Sequence, residues 1–237
     1  MSWMDEWDSR LNRVNSLDEV LRLASLMGDK LSALGMNPPA SAGAHGHDPV
    51  SIPSNSADSP PDAVAVVEFW RAAGFELWFA KDEAFDRRFR EQFIDLHEAA
   101  ACDGFSGWLA SPVGSLALLI LLDQFPRNAF RGSPRMYATD PMARKVADIG
   151  ITAGHDQVFD PPLRLFYYLP FAHSEDMADQ ERSVALCRRL GEPHAGRAKG
   201  HHDIVERFGR FPHRNHILQR TMTDEEELFL KRGGFSG

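Results

Sequence analysis

From Ala63 onward, large apolar residues return at steps of three and four, and strand signals are scarce. That period points to helices, because a half-buried strand would need strict alternation. Phe85, Phe89, Phe93, Leu96 and Ala100 form one such stripe, with Arg and Glu on the other faces and Gly104 as the stop. Ser115 to Leu122 is apolar all round and rich in Leu and Ala rather than β-branched residues, the pattern of a buried central helix. It delivers Asp123 and Gln124 to its C-terminal end, where Pro126 limits extension. Asp140-Pro141 reads as an N-cap with proline behind it, opening a helix to about Ala153 that Gly154 ends. Asp160-Pro161 gives the same signal before Leu163 to Leu169. Ser174 caps a predicted helix to Leu190, His194 to Phe208 is another, and Thr223-Asp-Glu-Glu226 is a capping box. The reading is all-α, built from antiparallel helix pairs joined by short loops.

Upstream the composition changes twice. Residues 16–36 carry Leu17, Val20, Leu21, Ala24, Met27 and Leu31 on one helical stripe, with Ser16 as cap and Gly35 as stop. Residues 37–62 are rich in Pro, Ser, Ala and Gly and read as a flexible linker, in which His45 and His47 are solvated. The expected organisation is an amphipathic helical extension over 1–36, a linker over 37–62 and an all-helical domain over 63–237.

Charge and cysteine content narrow the function. The formal net charge of −8 gives no reason to expect a nucleic-acid partner. The longest apolar run, Leu116 to Leu122, is too short to cross a bilayer, so no membrane partner is expected. The first residues are acidic and show no apolar leader, and the expected location is a reducing cytoplasm. Cys102 and Cys187 are too few for a disulfide framework and read as half-buried small hydrophobes.

Two segments nearly rhyme: Asp123-Gln-Phe-Pro-Arg-Asn128 and Gly209-Arg-Phe-Pro-His-Arg-Asn215. A third polar block, His173-Ser-Glu-Asp176, lies between them. Each sets polar groups beside strongly apolar residues, where burial without a partner is costly, so the three point to a polar site inside an apolar scaffold. Arg127, Arg131, Arg210 and Arg214 would make an anion pocket if they converge, since a guanidinium matches carboxylate and phosphate. The alternative is a buried ion-pair network with Asp123, Glu175 and Asp176 that holds loops together. His201 shares a helix face with Ile204, Val205 and Phe208; with His173 and His213 it is a candidate for acid–base work. Gln124, Asn128 and Asn215 flank these groups, the two asparagines also fitting turn ends, and one hydroxyl of Tyr167 and Tyr168 is expected to reach the site. Phe69-Trp70 and Trp78-Phe79 read as core. His202-Asp203 invites comparison with metal-dependent phosphohydrolases of the HD type. No glycine-rich phosphate loop, Gly-x-Ser-x-Gly elbow or His-Glu-x-x-His pair occurs.

From about Ala63 the chain resembles the bacterial domain-of-unknown-function family numbered 924, grouped with the tetratricopeptide-repeat-like folds. The resemblance is carried by Glu68-Phe-Trp70, Trp78-Phe79, Leu121 to Asn128, Tyr168-Leu-Pro-Phe171, His173 to Asp176 with Gln180, and His201 leading to Phe208 to Asn215. It implies a right-handed superhelix of stacked helix pairs and assigns no activity or cofactor. Where that family usually reads Leu-Gly-Arg, this chain has Leu218-Gln219-Arg220, and the usual Trp-Phe-Gly near the start is Trp70-Arg71 here.

Three functions follow as expectations. In the first, the four arginines hold a small anionic ligand while a histidine moves a proton, steadied by Asp123, Glu175 or Asp176. In the second, the motifs lock a helical-repeat scaffold that binds a peptide or protein partner. The third is the metal-dependent phosphohydrolase.

Overall fold

In the computed structural model, which describes residues 60–236, every regular element is helical. The helix and linker read over 16–36 and 37–62 fall outside the described residues, apart from the last positions of the linker. Helix α1 (Pro61–Trp78) opens with a proline, whose missing N–H is no loss in a first turn, and an acid that meets the positive end of the helix. Ala63, Val66, Val67 and Trp70 are its buried face. Gly74, at φ 71° and ψ 173°, breaks the helix in a conformation open essentially to glycine alone. After that break Trp78 donates its indole N–H to the Trp70 carbonyl at 2.5 Å and stacks on the Trp70 ring.

Helix α2 (Glu83–Ala101) is capped by Asp82, whose carboxylate accepts the Phe85 N–H at 2.7 Å. Its buried stripe is Phe85, Phe89, Phe93, His97 and Ala100. Leu96, read as part of that stripe, is only half-buried, and His97 lies inside instead. The four-residue step favours position 97, and the imidazole finds a partner there: Nδ1 lies 2.9 Å from the Leu121 carbonyl, with the ring stacked on Phe125.

The apolar run is indeed the central helix, but Pro126 does not end it. Helix α3 (Pro112–Leu119) widens into a π-helical turn over Ile120–Gln124 and continues as α4 (Phe125–Ala129). Such a turn shifts the carbonyl ladder, and a proline in the next turn brings no N–H to it. Three successive carbonyls accept side-chain donors here: Leu121 from His97, Leu122 from Thr139 Oγ1 at 2.6 Å, and Asp123 from Arg127 at 2.7 Å.

Two cap assignments shift. Thr139 precedes α5 (Asp140–Thr152), and the Asp140 carboxylate, read as the cap, turns to Arg127 instead. Asp176, not Ser174, caps α7 (Met177–Arg188), accepting the Ala178 and Asp179 N–H groups at 2.8 and 3.3 Å. Ser174 Oγ accepts the Asp176 N–H, which fixes the turn leading to that cap. Helix α6 (Pro161–Ala172) starts after Asp160, whose side chain makes no cap bond, and continues through Pro170 beyond the stretch read to Leu169. Helix α8 (His194–Phe208) runs as read, and the Thr223–Glu226 capping box opens α9 (Asp224–Lys231).

The central α3–α4 path is wrapped by α1, α2, α5 and α6; α7 packs on α6, and α8 on α7. One large core joins these elements, and a smaller cluster of Ile204, Val205 and Phe211 holds α8 to the C-terminal region. Cys187 is buried but Cys102 is exposed; both are free thiols. Among the described residues no helix is long and apolar enough to cross a membrane.

Candidate functional site

The two rhyming segments run Phe-Pro into a helical turn, α4 in one case and a 3-10 turn over Pro212–Arg214 in the other. Each turn sends an arginine to the same carboxylate. Arg127 donates to both oxygens of Asp140 at 2.8 and 3.0 Å, and Arg214 Nη1 lies 3.8 Å from Oδ2. The π turn adds Asp123, whose Oδ1 lies 3.1 Å from Arg127 Nη1 and 2.8 Å from His173 Nδ1. Gln124 donates to the second oxygen of Asp123 at 2.5 Å. Arg214 also donates to the His173 carbonyl at 2.9 Å, and its guanidinium sits over the Tyr137 and Phe211 rings.

Burial and charge set the protonation states. Burial alone would raise Asp123, but Arg127 and then His173 outweigh it and hold the carboxyl at about 2. His173 is lowered by burial first and then by Arg127. Burial, then His173 and Arg214, push His201 down to about 3; burial, then Arg214, push His213 down to about 4. All three imidazoles are therefore neutral near pH 7. With Asp123 ionised, His173 carries its proton on Nδ1 and keeps a lone pair on Nε2. A carboxylate-held imidazole of this kind is suited to accept a proton.

Arg127, Arg214 and the three imidazoles open onto a cavity of about 640 Å³, with Asp123 and Asp140 behind them. Its wall includes Gln124, Arg127, His173, His201, His213 and Arg214. Lys81, Arg131 and Arg197 also line it, and among the described residues no Asp or Glu does. Four lining residues hold a buried nitrogen with no partner: His194, His201, His213 and Arg214. Phe235 packs on His201 and His213, with ring centroids 4.8 and 5.1 Å apart.

Of the residues singled out from the sequence, Asp123, Gln124, Arg127, His173, His201, His213 and Arg214 are brought together. Arg131 and Asn128 line the cavity but are tied to Asp86, which Arg131 grips with two donors. The others lie outside the lining. Arg210 pairs with Glu226 at 2.6 Å. Glu175 accepts the Phe211 N–H and the Arg220 guanidinium, tying the His173 turn to the second Phe-Pro segment. Gln180 donates to the Ala172 and Ser174 carbonyls on either side of His173 and so positions that residue. Asp176 is a helix cap, and Asn215 is buried against Met222. The Tyr168 hydroxyl donates to Asp156, and that of Tyr167 meets Ser115.

Sequence reading missed Asp140, Tyr137 and the aromatic wall. Phe79, read as core, is 46% exposed and lines the cavity with Phe75, because the Gly74 break carries both away from the helix interior. Among the described residues, the His/Cys/Asp/Glu group near enough to share a metal is His202, Asp203 and Glu206. It is outside the cavity lining, and Asp203 is engaged by Lys199. The His-Asp dipeptide thus does not share the cavity with the converging groups.

Residues 66–234 match the model of DUF924, a bacterial protein family of unknown function. The solved structure of a protein of unknown function from Agrobacterium tumefaciens is 54% identical. Its TM-score is 0.71, and the match covers 72% of this chain and 97% of that one. No curated protein matches the chain. The chain belongs to the DUF924 family.

Proposed function

We propose that this DUF924 member binds a small anionic ligand in the cavity, with Arg214 as its main contact and His173 as the proton acceptor beside it. The observation that carries the reading is the wall itself. A chain of net charge −8 lines this cavity with Lys81, Arg127, Arg131, Arg197 and Arg214 and, among the described residues, with no carboxylate. Arg127 is saturated by Asp123 and Asp140, whereas Arg214 has only the shared Asp140 at 3.8 Å and a backbone carbonyl. Its buried Nε has no partner, and a bound carboxylate or phosphate oxygen would supply one. His173 would then take a proton from the ligand, or from water next to it, with Asp123 stabilising the imidazolium.

Titration calorimetry with acetate and with inorganic phosphate tests this reading. Saturable binding is expected in the native protein, at least about tenfold weaker in Arg214→Met. A folded native protein that binds neither these anions nor a longer-chain carboxylate refutes it. His173→Gln should keep the binding and lose any turnover found.

The proposal extends to architecture and setting. The succession in which α7 packs on α6 and α8 on α7 supports a tetratricopeptide-repeat-like superhelix. The two unpaired cysteines fit a reducing cytoplasm.

A further inference from the structure

We infer that the ligand is an amphipathic monocarboxylate, with its head against Arg214 and an apolar acyl or aryl body along Phe75, Phe79 and Leu169. This rests on the anion-binding reading above and extends it to the rest of the ligand.

The wall has a polar part and an apolar part. Around Arg214 the polar groups are Gln124 of the π turn, Arg127 of α4, His173 after α6, His201 of α8 and His213 of the second Phe-Pro segment. One stretch is apolar: Phe75, Trp78 and Phe79 from the broken end of α1, with Leu165 and Leu169 of α6. The volume of about 640 Å³ is in the range that holds drug-sized molecules, well beyond a bare acetate or phosphate. A sugar-like body would find few partners along Phe75, Phe79 and Leu169 beyond Arg197 and Lys81, and leaving its other hydroxyls unpaired is costly.

Exposure points the same way. Phe75 and Phe79 are 47% and 46% exposed, meet edge to face at 5.2 Å and sit beneath the Arg197 guanidinium. Paired exposed aromatics beside a cavity form an apolar surface that a ligand's body would cover.

Charge selects the head. Arg127 and Arg214 face Asp123 and Asp140, and the histidines are neutral, so the buried cluster sums to zero. Adding one negative charge costs less there than adding two, and a planar carboxylate fits a single guanidinium fork.

The test is calorimetric titration of the full chain with acetate, hexanoate and decanoate, with inorganic phosphate in parallel. Affinity is expected to rise about fourfold for each methylene added until the cavity is filled. Phe75→Ala/Phe79→Ala should flatten that rise and leave acetate affinity within about twofold, both rings being half-exposed and outside the core. Equal affinity for acetate and decanoate, both weakened in Arg214→Met, overturns the inference and leaves the anion site standing. Tighter binding of phosphate than of hexanoate also overturns it. Decanoate bound equally well by Arg214→Met would overturn the anionic head and with it the proposed function. A series that does not bind at all sinks both.

Discussion

Replacing Asp140 with Asn removes the one carboxylate that Arg127 and Arg214 share. The two side chains differ by a charge and little in shape. Arg127 would lose two charge-assisted bonds at 2.8 and 3.0 Å, keeping Asp123, and Arg214 would lose its nearest negative group at 3.8 Å. Removing one partner of a buried pair costs about 3–5 kcal/mol, and the amide oxygen retains one acceptor, so about 3 kcal/mol is expected. For a domain of this size each kcal/mol moves the midpoint by about 2–4 °C, giving a fall in Tm of about 6–12 °C. The same change leaves the cluster with surplus positive charge. A carboxylate should then bind the variant at least about tenfold more tightly than the native protein and recover part of the lost Tm. Differential scanning calorimetry with and without decanoate reads both effects. A variant melting within about 2 °C of the native protein, with no stronger response to the anion, refutes the charge accounting at this site.

Three further outcomes are expected. Burial pushes His201 and His213 to about 3 and 4, below the ordinary 6.5, so the unfolded chain takes up protons first as pH falls. Their contribution is complete above about pH 6.5 and declines from there toward pH 4, each with a slope of up to about 1.4 kcal/mol per pH unit. Tm followed from about pH 7.5 to 4.5 should therefore drop, less steeply in His213→Gln; parallel curves would contradict this. Gln219→Gly should raise stability by about 0.5–1 kcal/mol in urea unfolding, because Gln219 sits at φ 54°, and a loss would show that its side chain matters more than its backbone. Thr139→Val keeps the shape but leaves the Leu122 carbonyl without its hydroxyl donor, at a cost of about 1–3 kcal/mol; unchanged denaturation would mean another donor replaces it.

What the sequence made legible was whatever is decided within a turn or two. The bounds of α8 and the Thr223 capping box come from local period and local capping, and the structure places both as read. The rhyme of the Phe-Pro segments also led to Arg127 and Arg214, which meet at Asp140. Other features depend on partners far along the chain. Pro126 reads as a helix stop, yet the π turn before it is supported by His97 and Thr139, which satisfy Leu121 and Leu122 from 24 and 17 positions away. Asp140 before a proline looks like a cap, and its pairing with an arginine 13 residues earlier leaves no local mark. Arg210 reads with Arg214 as an anion ligand, but Glu226, 16 residues beyond Arg210, draws that one out of the site. The departure at Gln219 is the reverse case. Gln219 lies in left-handed backbone, which glycine adopts without strain, so the glycine of the Leu-Gly-Arg pattern noted from the resemblance is accounted for by conformation.

The π turn over Ile120–Gln124 has a consequence for chain length. It accommodates one residue more than an α-helical ladder would. Deleting one of those five residues would restore a regular helix with Arg127 and Asn128 facing as before, and the carbonyls of Leu121 to Asp123 would return to the helical ladder. A relative could change many of the lining side chains and keep a related binding site. One whose alignment has a gap at this stretch would lose the widened turn and, with it, the carbonyls that His97, Thr139 and Arg127 now meet.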